Sequence, residues 1–241
     1  MATLFLSDLH LPNEPSPLRE GFLRFLRGPA RTADAVYLLG DLFEYWIGDD
    51  VGLSAYAPEI AALRALADAG VPVYFVHGNR DFLVGSAFAQ ASGVRLLDDP
   101  TLLDLYGAPT LIGHGDLWCT DDHGYQRWRR FSRNRIAQWV FLRLPLARRE
   151  KIAGGVRGRS HQDKRWKAED IMDVNAGAIR AAFDASGAAR MIHGHTHRPD
   201  DHQLHAGDHR RVQRLVLADW HPDRMEYLAV DADGPRRVRL D

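Results

Sequence analysis

The chain has 241 residues, 45% hydrophobic and 26% charged, with a net charge of −1. That is enough to bury the core of one domain, and the composition is ordinary for a globular protein. A single cysteine, Cys119, excludes an intrachain disulfide framework and suits a reducing compartment. The N-terminal residues lack the basic start and long apolar run of a secretory signal, and no stretch reaches the ~20 apolar residues that span a bilayer. A cytoplasmic protein is expected.

Residues 2–6, ATLFL, read as a buried strand that ends in Ser7, Asp8, Leu9 and His10. Leu18, Phe22, Leu23, Phe25 and Leu26 then recur at helical spacing. Residues 35–39, AVYLL, predict a second strand closed by Gly40 and Asp41. Pro58 opens a helix over about 58–69, and Gly70 stops it. Residues 71–76, VPVYFV, give a third strand, followed by His77-Gly78-Asn79-Arg80-Asp81 and a helix near 84–91. Short strands are expected at about 94–97, 101–105 and 110–112, the last ending in Gly113-His114-Gly115-Asp116.

A different kind of segment then interrupts the alternation. Between Gly124 and Asp170 fourteen Lys/Arg stand against four Asp/Glu, a net charge of +10. Little Gly or Pro and a helical apolar spacing predict two or three helices here, a unit with an anionic partner. Ile136, Trp139, Val140, Phe141, Leu142, Leu144, Pro145 and Leu146 form an apolar run with arginines on both sides, Arg148 and Arg149 among them. Basic flanks around an apolar face suit a helix lying on anionic lipid, or a lid over acyl chains. An ordinary helical hairpin, or arginines interleaved with Trp128, Phe131 and Trp166 on nucleic acid, would read similarly. A helix at about 171–185 leads to a short strand and to His193-Gly194-His195-Thr196-His197, and strands follow at about 212–217, 225–230 and 237–240.

Every polar motif above falls at the carboxyl end of a predicted strand. In layered α/β folds such positions gather into one crevice. Asp8 and His10, two residues apart on extended backbone, would point to one side. Asp41 could bridge two cations, Asn79 offers a carbonyl oxygen, and His114, His195 and His197 offer imidazoles. The set has oxygen and nitrogen donors and no thiolate, which suits Mn²⁺, Fe²⁺ or Zn²⁺. Two cations about 3.5–4 Å apart would promote attack on phosphorus.

The order DLH, GD, GNRD, HGD, HGHTH resembles the calcineurin-like metallophosphoesterase family over nearly the whole chain. The resemblance implies an α/β fold, a four-layer α/β/β/α sandwich forming a single domain over 1–241, with a basic helical cap inserted at about 120–172. It implies one metal on Asp8, His10, Asp41 and His197 and another on Asp41, Asn79, His114 and His195, taken as two Mn²⁺. Residues 40–50, GDLFEYWIGDD, and 171–175, IMDVN, resemble more narrowly the branch that hydrolyses the pyrophosphate of UDP-2,3-diacylglucosamine in lipid A synthesis, giving UMP and 2,3-diacylglucosamine 1-phosphate. That branch implies substrate contacts at Asn79, Arg80, Asp122, Ser160, Lys164, Lys167 and His195, and places Asp41, Asn79, Arg80 and His114 nearest the chemistry. Trp46, Tyr125 and Arg157 are expected neighbours. The broader family has histidine where Arg80 stands. Arginine delivers no proton near neutral pH but pairs with phosphate oxygens, which fits a phosphate leaving group. The expected partners are the lipid-linked sugar nucleotide and an anionic membrane surface, not nucleic acid, and the expected place is the cytoplasmic face of the inner membrane, peripherally bound. Another dinuclear metallophosphodiesterase or nucleotide pyrophosphatase is the alternative.

Overall fold

A computed structural model of the chain describes residues 1–166, 173–207 and 209–240, and the side chains of these except 157 and 159–166. The first half alternates: β1 (Thr3–Leu6), α1 (Pro17–Arg27), β2 (Ala35–Leu38), α2 (Asp49–Ala55), α3 (Ala57–Asp68), β3 (Val73–Val76), α4 (Ser86–Ser92), β4 (Arg95–Leu97), β5 (Thr101–Leu105) and β6 (Ala108–Gly113). Three helices follow, α5 (His123–Ser132), α6 (Arg135–Leu142) and α7 (Leu146–Trp166). The chain continues through α8 (Ala176–Ser186), β7 (Arg190–His193), β8 (Asp200–His205), β9 (Arg211–Val216), β10 (Glu226–Asp231) and β11 (Gly234–Arg239).

The strands form two sheets, ordered β11-β10-β1-β2-β3-β4 and β5-β6-β7-β9-β8. Successive side chains on a strand face opposite ways, and here both faces are covered. On β1, Leu4 and Leu6 join the cluster of Phe22, Phe25, Leu63 and Phe88 from α1, α3 and α4, while Phe5 joins the opposite one. That second cluster lies between the sheets, where Phe5, Tyr37 and Val76 meet Ile112, Ile192 and Leu215. On the far side, Leu111 and Met191 pack on Ile179 and Phe183 of α8. Three apolar seams therefore separate four layers, α/β/β/α, as the family resemblance implies.

Parallel pairing positions the site. β1, β2, β3 and β4 are mutually parallel, as are β6, β7 and β9, so their carboxyl ends share an edge of each sheet. Two elements escape sequence reading. α2 has Gly52 in its interior, and a Cβ there would run into the Trp46 ring; seven residues around such a contact carry no apolar stripe. β8 pairs only with β9 at the sheet edge, and its sequence DDHQLH has no apolar run because it covers little core. α8 starts at Ala176, later than expected, because the Asn175 side chain accepts the Ala178 N–H and caps it.

Candidate metal centre

The strand ends carry the polar motifs into one place by giving up regular backbone. Among the described non-glycine residues, positive φ occurs at Asp8 (57°), His10 (47°), Asp41 (52°), His195 (69°) and His197 (55°), and otherwise only at Tyr106 and His209. Left-handed backbone is costly for such residues and persists where surrounding contacts fix it. Here the ladder itself does so: Asp8 N–H donates to Gly40 O at 3.1 Å, His10 N–H to Asp41 O at 3.0 Å and Gly194 N–H to His114 O at 2.9 Å. Asp8 and His10 thus converge by tight turns, not by the extended alternation the sequence predicts.

Asp8 joins the two sheets. Its Oδ2 accepts from Ser7 Oγ at 2.6 Å and from His195 N–H at 2.8 Å. Among the described residues its buried Oδ1 has no hydrogen-bond donor; it faces His197 Nε2 at 3.3 Å and His10 Nε2 at 3.9 Å. Gly194 allows this approach, since a Cβ there would strike Ser7 Oγ and Asp8 Oδ2. His10 Nε2 and His197 Nε2 lie 3.3 Å apart. His197 Nδ1 meets Asp219 Oδ2 at 3.1 Å, which fixes its ring.

A second group adjoins the first. His114 Nε2 lies 3.1 Å from Asn79 Oδ1 and 3.2 Å from His195 Nδ1, while its Nδ1 donates to Leu39 O at 2.9 Å. Asp41 lies between the groups, Oδ1 3.8 Å from His114 Nε2 and Oδ2 4.0 Å from His10 Nε2. All seven residues expected as ligands are therefore neighbours. Arg80 stands beside them, its N–H donating to Asp41 Oδ1 at 2.8 Å and its guanidinium 3.7 Å from Glu44. Asp122 caps α5 by accepting the Tyr125 N–H at 3.0 Å. Lys167 and the side chains of Arg157, Ser160 and Lys164 lie outside the described residues.

Buried carboxylates and imidazoles perturb one another strongly here. Burial works to raise Asp8, yet His197, His114 and His10 hold it well below the usual carboxylate range. Burial raises Asp41 to about 7. His114 is raised to about 9: burial opposes this, and the carboxylates of Asp41 and Asp8 overcome it. Burial lowers His10 and His195 to about 3, so both keep neutral, lone-pair-bearing rings at pH 7. Asp8, His10 and His197 converge tightly enough to hold one ion, and so do Asp8, Asp41 and His114. The orphaned Asp8 Oδ1 and the paired imidazole nitrogens fit a cation in each group.

From this cluster opens a cavity of about 1240 Å³, lined at its polar end by His10, Asp41, Asn79, Arg80 and His195 and farther out by Trp46, Phe82, Trp128, Val140 and Phe141. Tyr125 lines it too, its ring 5.8 Å from that of His195.

Sequence reasoning missed three carboxylates that hold this arrangement. Asp81 is fully buried and accepts backbone N–H groups from Gly78 (2.8 Å), Asp41 (3.2 Å) and Leu42 (2.8 Å), tying the turn after β3 to that after β2. Asp219 holds His197; it follows a predicted strand as the other motif residues do, and that position was its only signal. Asp116, in the HGD motif, is fully buried under α5.

A carboxylate–imidazole cluster with room for paired cations, at the strand ends of a doubled α/β sandwich, defines a metal-dependent hydrolase. A model of the calcineurin-like phosphoesterases matches residues 1–199, and the chain belongs to that family. The family implies a dinuclear metal site, and the residues present fit one. Among curated relatives, the UDP-2,3-diacylglucosamine hydrolase of Serratia proteamaculans (strain 568) is 52% identical over 240 residues, covering 100% of this chain and 99% of the relative. The proteins of the same name from Edwardsiella ictaluri (strain 93-146) and Pseudomonas paraeruginosa (strain DSM 24068 / PA7) are each 48% identical over 240 residues, covering 100% and 99% of this chain and 92% and 98% of the relatives.

Proposed function

We propose that this chain hydrolyses the pyrophosphate of UDP-2,3-diacylglucosamine to UMP and 2,3-diacylglucosamine 1-phosphate, in lipid A synthesis, using two Mn²⁺. The observation that carries the reading is the cavity, which joins a phosphate-chemistry cluster to an apolar chamber large enough for acyl chains. In this reading Asp8, His10, Asp41 and His197 would hold one ion and Asp41, Asn79, His114 and His195 the other, with Asp41 shared. When bound, the ions would withdraw charge from the phosphate oxygens and lower the pKa of the attacking water. The Arg80 guanidinium pairs with the pyrophosphate as charge builds on the departing sugar phosphate. That leaving group has a second pKa of about 6 and needs no proton, so arginine in place of histidine loses nothing. Asn79 and His195 would contact the phosphates, and Asp122, Ser160, Lys164 and Lys167 are the further proposed substrate contacts, the last three with side chains outside the described residues.

In this reading the helices α5 to α7 belong to a cap inserted at about 120–172 in a single domain, of which residues 167–172 lie outside the described residues. Trp139 and Leu142 of α6 are 55% and 40% exposed and lie outside the cavity lining. No described helix is long and apolar enough to cross a membrane. An apolar face beside arginines supports peripheral attachment to the anionic cytoplasmic surface of the inner membrane. Hydrolysis in ¹⁸O-water tests the chemistry: label enters UMP if water attacks the uridine-side α-phosphorus, and label in the lipid phosphate would refute that assignment. Cleavage of a soluble UDP-sugar as efficient as that of the diacyl substrate would make the chain a general nucleotide pyrophosphatase.

A further inference from the structure

The first cap helix is fastened from beneath by side chains whose charge reads, in the sequence, as surface. On one face of α5, Tyr125 Oη donates to Asp116 Oδ2 at 2.6 Å and Gln126 Nε2 to Asp116 O at 2.8 Å. One turn on, Arg129 donates Nε to Asp116 Oδ2 at 3.0 Å and Nη2 to Asp99 Oδ2 at 2.8 Å. Four residues further, Arg133 Nη2 donates to His77 O at 3.2 Å and Gly78 O at 2.9 Å. The spacing puts all four on one side of the helix.

The far ends of these bonds are informative. His77 and Gly78 immediately precede Asn79. Asp99, gripped by Arg129, accepts the His114 N–H through Oδ1 at 3.2 Å. α5 therefore braces the backbones of the two residues whose side chains meet at 3.1 Å, Asn79 and His114. None of these bonds goes to Asp8, His10 or His197. The turn has little freedom to compensate: a Cβ on Gly78 would strike Asp41 Oδ1 and the Asp41 amide, so any shift of the turn moves Asn79 against Asp41. Without Arg133 the carbonyls of His77 and Gly78 lose its two donated bonds. Trp128 and Phe131, on the other side of α5, line the cavity together with Tyr125.

We infer that Arg133, supported by Arg129 and Asp99, is a positioning residue: it sets Asn79 and His114 for the ion they hold, so that one of the two ion sites depends on the helix that walls the substrate cavity more than the other does. The inference rests on the ligand assignment proposed above. Such outer partners typically change metal affinity by roughly 10–100-fold.

Mn²⁺ uptake by the metal-free full chain, followed by the electron paramagnetic resonance of the free ion, tests it. Wild-type protein should take up two ions. Arg133→Ala should bind one of them roughly 10–100-fold more weakly and the other with a clearly smaller loss. Arg133→Lys should recover most of the loss. Asp219→Asn, which alters the partner of His197, should weaken the other ion instead. At low Mn²⁺ the Arg133→Ala enzyme should lose kcat with KM unchanged, and added Mn²⁺ should restore it. Should the alanine variant fail to fold, Arg133→Gln, with one amide for two carbonyls, should show the same unequal loss at smaller size. Equal weakening of both ions, or weakening of neither, overturns the inference. Wild-type protein that binds fewer than two ions overturns the ligand assignment as well.

Discussion

Asp81 shows how much of this centre depends on groups that never face the cavity. Its two oxygens serve amides on two different loops, and burial raises its pKa even though those amides favour the charged form. Asp81→Asn replaces one acceptor oxygen by a donor facing N–H groups, leaving at least one buried amide unpaired. The expected cost is about 1–3 kcal/mol of stability, read by urea denaturation of the metal-free protein. Mn²⁺ uptake should fall as well, because the turns carrying Asp41 and Asn79 lose their common tie. Unchanged stability and uptake would show that the two turns hold each other without it. The candidate ligands were readable because each ends a strand in a parallel set. The bracing carboxylates were not, because an aspartate that caps a turn and one that supports a site look alike in sequence.

At the scale of elements, the basic segment divides by direction. Arg129 and Arg133 turn inward, and so does Arg149, which is 4% exposed, pairs with Asp50 and donates to Ile47 O at 2.7 Å. Arg149 therefore clasps α7 to the loop before α2 and is not part of a lipid-facing surface, contrary to the expectation for the Arg148–Arg149 pair. Arg148 is exposed, and Arg143 lies over the Trp139 ring, 3.5 Å from its centroid. Replacing Arg143 and Arg148 by glutamate should reduce sedimentation with anionic liposomes, and wild-type binding should weaken as salt shortens the screening length to about 8 Å at physiological strength. Hydrolysis in detergent micelles should survive. Arg149→Met should instead speed hydrogen exchange in α2 and the start of α7 and leave liposome binding unchanged. Loss of liposome binding in Arg149→Met, with none in the double glutamate variant, would reverse this division.

At the scale of the whole molecule, the proposed function would place the acyl chains in the space between the sandwich and the three helices. Acyl chains held in that chamber should contribute about 0.8 kcal/mol per buried CH₂, so each methylene removed should raise KM or lower kcat/KM by roughly fourfold until the chain no longer reaches the wall. Micellar kinetics across a series of chain lengths would show this, and the dependence should persist in high salt. A flat series would mean that the chamber takes something other than the acyl chains.

The sequence by itself determined the α/β class and brought the candidate ligands into view. Strands buried on both faces announce sheets covered on both sides, and polar residues at successive strand ends have one place to gather. Its single cysteine and its strongly basic segment were equally plain. Only the tertiary structure decided which backbones kink to bring Asp8, His10 and Asp41 together, since left-handed φ at those positions is imposed by bonds from neighbouring strands. Only packing could sort the arginines, because a guanidinium beneath a helix and one on its surface carry the same charge. What distinguishes them is the carboxylate or carbonyl that the fold brings within reach: Asp99 and Asp116 for Arg129, the end of β3 for Arg133, and Asp50 for Arg149.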